Sequence, residues 1–390
     1  MRYIPRQLDT RVIQAARGFP ALIVTGPRRA GKTTMLRHLF PKASYVLLED
    51  PAVVARVRSD PHGFLAELAL PAILDEVQNA PELFNHVRAL IDAAPRRKGR
   101  WLFTGSQEAG LMKGVTESMA GRAALLQLLP LSTRETHKVT MFHGGFPEAL
   151  ARPSLRSLWY QSYLQTYLER DVRAISSIRD LATFRKFLAL VASRCGQILN
   201  KTDLAAPLAV SVHAITEWLS ILEITGQILL IPPFFENFGK RLIKSPRIYF
   251  VDSGLVCHLL GIESDTMLHR SPFLGPIWES FVASEVVKQQ LNQGKAKAVY
   301  FFRDQQGLEV DFVVPRGNGR LALVECKAGR TAKPSDGGPI RRLRESARRY
   351  QVDGYIVYQP TREHAKMTAL GPGDRAVGIS QLLDLLANPK

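Results

Sequence analysis

Five short apolar runs punctuate the first 130 residues: ALIVTG (21–26), ASYVLLED (43–50), PAILDEVQ (71–78), RWLFTGS (100–106) and AALLQLLP (123–130). Helix-compatible stretches, Lys32–Phe40 and Pro81–Ala94, lie between them. Such alternation predicts an α/β unit, a parallel sheet covered by helices. Residues 155–195 carry helical periodicity and predict a connector whose apolar stripe includes Leu158, Tyr163 and Tyr167. Residues 198–252 then read as a helix (Lys201–Ala206), a turn, a second helix (Val212–Leu222), Gly226 and two strands. That order is that of a winged helix-turn-helix. From Leu274 the pattern is helix, three strands, a basic helix (340–350) and a strand, a second α/β unit, with Thr331–Pro339 as a flexible loop. The expected divisions are 1–135 (sheet and helices), 136–195 (helical lid or connector), 196–265 (winged-helix-like) and 266–390 (second α/β domain).

A chain of 390 residues is too long for one core, which agrees with several units. Lys and Arg number 52 against 35 Asp and Glu, a net +17 that attracts polyanions, so DNA is the first partner to test. Basic charge is also common in proteins that bind no nucleic acid. No apolar run is long enough to span a bilayer and no secretory signal is visible, so a cytoplasmic location and no membrane partner are expected. Cys195, Cys257 and Cys326 are far apart and lack paired ligand spacing, which argues against disulfides and zinc.

GPRRAGKTT fits G-x-x-x-x-G-K-[ST] and sits between an apolar strand and a helix. Gly26, Pro27, Arg28, Arg29, Ala30, Gly31, Lys32, Thr33 and Thr34 therefore form the expected phosphate cradle. In it Lys32 reaches the outer phosphates of ATP and the Thr33 hydroxyl holds Mg²⁺. PAILDEVQ ends in Asp75, placed to bind the metal, and Glu76, placed to activate water. Ser106, ending the next strand, is the candidate γ-phosphate sensor. Arg122 is either a finger delivered to a neighbouring subunit of a homo-oligomer or a surface arginine paired within its own chain.

GPRRAGKTT, LDEVQ, TGSQ, MAGR, LPLS, GGFPE (144–148), YLERDV, WLSILE and KRLIKSPRIYFVDSGL together resemble the prokaryotic AAA-type P-loop ATPases whose C-terminal half is a domain of unknown function. The resemblance spans nearly the whole chain. It implies an ATP-binding module, a helix-turn-helix-like segment and a nuclease-like fold. GGFPE is similar to a turn that positions a helical lid in related signalling ATPases, and would otherwise be a plain turn.

In LEVDFVVPRGNGRLALVECK, alternation puts Glu309 and Asp311 on one side of the first strand, and Glu325 and Lys327 together on the second. Closing the Gly-rich turn brings Asp311 near Glu325, an oxygen-rich site suited to a second Mg²⁺ or to Mn²⁺. Lys327 would then orient water, and Glu279 on the preceding helix would add a third carboxylate. Glu279, Asp311 and Glu325-x-Lys327 resemble the restriction-endonuclease-like superfamily, which implies metal-assisted phosphodiester hydrolysis. A surface pair of Glu325 with Lys327 is the plain alternative, and such folds also serve as binding platforms. In the winged-helix reading, Lys240, Arg241, Lys244 and Arg247 of the wing touch phosphates while His213, Thr216, Glu217 and Ser220 face the groove. The segment serves equally as a protein-packing module. The expected function is thus a Mg²⁺-dependent ATPase that binds DNA through its C-terminal half and cuts it at the second metal. The alternative is a nucleotide-controlled switch that holds a DNA or protein partner without cutting; a remodelling motor ranks behind both.

Overall fold

The computed structural model describes residues 3–105, 118–168, 181–234, 244–360 and 367–387. The five apolar runs become β1 (Ala21–Thr25), β2 (Ser44–Leu47), β3 (Ala72–Asp75), β4 (Trp101–Gly105) and β5 (Ala123–Gln127). They pair in parallel in the order β2-β3-β4-β1-β5. β1, β3 and β4 are buried throughout. The cause is cover on both faces: Ala21 and Ile23 join Phe84 and Phe103 on one side, and Leu22 and Val24 join Met35 and Leu36 on the other. The carboxyl ends of β1 and β3 open at the same edge, where ligands of parallel sheets bind.

Beyond β5 the largest apolar cluster runs from Leu129 to Leu383. One core therefore underlies residues 136–195, residues 196–265 and one face of the C-terminal sheet. The connector helix Arg156–Tyr163 buries Tyr163 of the expected stripe but leaves Leu158 outside. Tyr160 and Tyr163 are buried while Leu158 is 57% exposed, because the rings of Trp159, Tyr160 and Tyr163 gather around Phe146 at 5.0, 6.2 and 4.9 Å. The Tyr167 side chain lies outside the described residues.

Helices Lys201–Ala205 and Val212–Ile224 follow, then antiparallel β6 (Ile228–Ile231) and β7 (Arg247–Phe250). The second helix starts where the Ser211 hydroxyl accepts from Ala214 N–H at 3.1 Å. The long helix Leu274–Asn292 leads into β8 (Tyr300–Arg303), β9 (Glu309–Pro315), β10 (Arg320–Cys326), β11 (Gln351–Val357), β12 (Thr368–Gly371) and β13 (Asp374–Val377). Their order is β12-β13-β11-β10-β9-β8, antiparallel through β8-β9-β10 and parallel from β10 through β11 to β13. The helix Gly338–Ser346 covers the other face through Ile340 and Leu343. It stops four residues short of the expected end, and Pro334–Gly337, within the expected loop, forms a helical turn. Among the described residues no single helix is long and apolar enough to cross a membrane.

Candidate functional site

The loop between β1 and the helix Lys32–Leu39 is built on glycine. Gly26 has φ +140°, and a Cβ there would lie 2.0 Å from the Leu128 carbonyl oxygen. No other residue fits both demands. Lys32, 4% exposed, donates to the carbonyl oxygens of Gly26 and Pro27 at 2.9 and 3.0 Å, which closes the loop on itself. The Thr33 hydroxyl meets both Asp75 oxygens, at 2.8 and 3.0 Å. Tyr45 also donates to Asp75 at 2.7 Å, and the Thr104 hydroxyl contacts the same carboxylate. Burial, reinforced by that carboxylate, pushes the Tyr45 phenol well up, so it stays a donor. Glu76 takes the left-handed conformation at φ +58°, a strained geometry of the kind concentrated at functional sites. Its N–H donates to Thr104 Oγ1 at 3.2 Å.

A cavity of about 560 Å³ opens over this loop, with Tyr3, Ile4, Leu131 and Pro147 at its apolar wall and Lys32, Thr33 and Glu76 at its polar wall. Sequence reasoning missed several of its supports. Arg6, 7% exposed, donates to the Ala30 and Leu129 carbonyl oxygens at 2.9 and 2.7 Å and pairs with Glu135 at 3.0 Å. Its charge had no motif to mark it. Arg28 pairs with Glu49 at 3.1 Å, and Arg29 pairs with Glu148 of GGFPE at 3.3 Å. Ser106 lies outside the described residues. Arg122 precedes Ala123, which pairs with Ala21 at the start of β1. It therefore sits at the sheet edge away from the loop, about 17 Å along a five-residue strand, and holds Asp92 of its own chain at 2.6 and 3.0 Å.

GGFPE is anchored from the far side. Asp252, 2% exposed, accepts from Gly145 N–H at 2.6 Å, the Tyr160 hydroxyl at 2.7 Å and Leu255 N–H at 2.9 Å. The turn is therefore a packed junction as well as a wall of the cavity. Below it, Glu285, fully buried on the helix Leu274–Asn292, accepts from Thr133 N–H at 2.8 Å. Lys288 of that helix donates to the Leu131 carbonyl oxygen at 3.1 Å.

The second candidate site is also brought together. Phe312 stands opposite Val324, which leaves Asp311 and Glu325 as the next pair along the antiparallel ladder. Asp311 Oδ2 accepts from Cys326 N–H at 2.8 Å, and Lys327 holds Glu325 at 2.9 Å. Glu279 accepts from the Tyr249 hydroxyl at 3.3 Å. Arg247, expected on the wing touching phosphates, is instead 4% exposed and lies inside this cluster. It is 3.5 Å from Asp311 and 4.0 Å from Glu279, contacts Glu309, and stacks over Phe301 at 5.1 Å. The reason is geometric: Arg247 and Tyr249 share one face of β7, and Tyr249 on that face packs against Phe312 of β9 at 5.5 Å and reaches Glu279, so the first side chain of the strand falls among the acids. Burial, with Asp311 next, raises the Glu279 carboxyl to about 8 and the Glu325 carboxyl to about 7. Burial also raises Asp311, against the pull of Cys326 N–H and Arg247. Among the described residues no group of three or more His, Cys, Asp or Glu could hold a metal ion.

Two other polar surfaces make contacts within the chain. Arg341 and Arg344 hold the buried Asp374, Arg341 at 2.9 Å and Arg344 at 2.5 Å. On Val212–Ile224, the Thr216 and Ser220 hydroxyls bond their own helix backbone, and His213 lies 3.5 Å from Glu217. Lys240 and Arg241 lie outside the described residues, while Lys244 is exposed.

Residues 18–137 match the AAA domain family. Residues 134–266 and 274–379 match two domains of unknown function, DUF8612 and DUF4143. The chain is 32% identical over 338 residues to "Uncharacterized protein Rv2008c" of Mycobacterium tuberculosis, covering 85% of this chain and 75% of that protein. "Uncharacterized protein MJ1544" of Methanocaldococcus jannaschii is 22% identical, over 80% and 76% of the two chains. Among solved structures, the Walker-type ATPase PABY2304 of Pyrococcus abyssi aligns with 66% of this chain and 96% of its own, at 14% identity and a TM-score of 0.46.

Proposed function

The chain belongs to the family of the mycobacterial protein Rv2008c, with an AAA domain ahead of DUF8612 and DUF4143 regions, and we propose that it binds ATP with Mg²⁺ over Gly26–Thr34 and hydrolyses it. The single observation that carries this reading is the Thr33 hydroxyl 2.8 Å from Asp75, directly beside the glycine cradle. Thr33 and Asp75 would hold a magnesium ion, whose chemistry is to neutralise charge on the β- and γ-phosphate oxygens. Lys32 moves from the carbonyls it now caps to the phosphates. Glu76, aimed by its bond to Thr104, takes a proton from the attacking water. The apolar wall of Tyr3, Ile4, Leu131 and Pro147 suits a nucleobase. On this reading Lys32→Ala and Glu76→Gln each lower ATP turnover by roughly 10²-fold or more, measured as phosphate release. Unchanged turnover in both variants refutes it.

The second reading, a nucleotide-controlled platform that holds a partner without cutting it, draws support from Arg247 among the carboxylates. The restriction-endonuclease-like order of helix Leu274–Asn292, β8, β9, β10, helix Gly338–Ser346 and β11 supports a nuclease-like ancestry for that platform. DNA as the partner rests on the +17 charge. Arg122, at the edge remote from its own loop, would reach a phosphate only across a subunit boundary. The proposed units remain 1–135, 136–195, 196–265 and 266–390.

A further inference from the structure

Resting on the nuclease-like reading of the C-terminal half, we infer that Arg247 is a built-in guanidinium that takes the place of a divalent cation among Glu279, Asp311 and Glu325, so that this half binds without cutting.

The central carboxylate a metal would need is already committed. Asp311 Oδ1 faces Arg247 at 3.5 Å and Oδ2 accepts from Cys326 N–H at 2.8 Å. A hard cation needs carboxylate oxygens at about 2.0–2.6 Å, and a guanidinium wedged against the same oxygens excludes it by both volume and charge. Arg247 is firmly seated there, since it is 4% exposed, Phe301 supports its face at 5.1 Å, and Glu309 and Glu279 flank it. Arginine stays protonated even when buried, so the replacement is permanent. The exchange is incomplete, because one positive charge stands where a divalent ion would bring two. Glu325 Oε2 accordingly remains buried with no hydrogen-bond partner, although Glu325 is only 8% exposed. The high proton affinities of Glu279 and Glu325 agree with this deficit.

The test uses the nucleotide-free full chain titrated with Mn²⁺ alone, with free Mn²⁺ read by electron paramagnetic resonance. Wild type and Asp311→Asn give superimposable isotherms. Arg247→Gln gains one Mn²⁺ per chain, at least tenfold tighter than any wild-type binding, and Arg247→Gln with Asp311→Asn loses it again. A wild-type site that Asp311→Asn removes overturns the inference while leaving the nuclease-like reading intact. A folded Arg247→Gln protein that gains no Mn²⁺ overturns both. If Arg247→Gln does not fold, a wild-type Mn²⁺ site that Asp311→Asn removes still overturns the inference.

Discussion

Asp252→Ala removes one carboxylate and strands three donors. Gly145 N–H, the Tyr160 hydroxyl and Leu255 N–H all end on that side chain, at 2.6, 2.7 and 2.9 Å, in a site 2% exposed. Each buried donor left unpaired costs about 1–3 kcal/mol, and a water entering the vacated space recovers part of it, so the loss is about 3–5 kcal/mol. The N-cap of helix Ser253–Leu259 lies within that figure, being the Leu255 bond. Against a total stability of about 5–15 kcal/mol, the variant keeps a narrow margin. Tyr160→Phe removes a donor and leaves the two backbone bonds in place, so it costs about 1 kcal/mol. Asp252→Asn falls between, since its amide oxygen still accepts. Urea unfolding followed by circular dichroism and by tryptophan fluorescence, with Trp159 packed beside the junction, gives all three values. Equal midpoints for wild type and Asp252→Ala refute the reasoning, as does a Tyr160→Phe loss as large as that of Asp252→Ala.

Two further outcomes follow from the geometry. Gly26→Ala drives a methyl into the Leu128 carbonyl oxygen at 2.0 Å and weakens ATP binding at least tenfold, read with a fluorescent nucleotide; wild-type affinity contradicts the account of the loop. Glu279 titrates near 8 in the folded chain against an ordinary 4.5, so between those values the folded state binds more protons than the unfolded one and stability falls as pH rises. The wild-type urea midpoint relative to that of Glu279→Gln should therefore decline from pH 5 to 8, and a difference that grows instead has the wrong sign for a buried acid.

Periodicity carried the five-stranded sheet and the three antiparallel C-terminal strands, because ALIVTG, LEVDFVVP and LALVECK are apolar runs with clear ends. It did not carry the hairpin β12–β13 or the helix Ile379–Ala387. Thr368 and Ala369 are exposed and Gly371 and Gly373 interrupt the run, so no alternation marks those strands. The connector stripe failed on Leu158 for a different reason. Trp159, Tyr160 and Tyr163 offer a larger area than leucine, and aromatic packing against Phe146 chose which face turned inward. The phosphate loop was legible because its chemistry is contiguous in the chain. Its supports were not, since Arg6, Tyr45 and Glu148 reach it from separate segments.

Buried charge is where pattern reading goes astray, and the helix Leu274–Asn292 shows the physics. The sequence marked only Glu279 on this helix, as a candidate ligand, yet Glu285, Lys288 and Gln289 are also at most 8% exposed. Burying such groups without partners is prohibitive, so each must find one. Glu285 takes Thr133 and Lys288, Lys288 takes the Leu131 carbonyl, and Gln289 takes that of Leu383. Those partners lie on the AAA side of the chain and at its C-terminal helix, which no local window contains. Charge at these positions therefore specifies where the units dock rather than where water lies. The same rule places Arg247: a cation too deep for solvent must find acceptors, and Glu279, Glu309 and Asp311 lie within its reach.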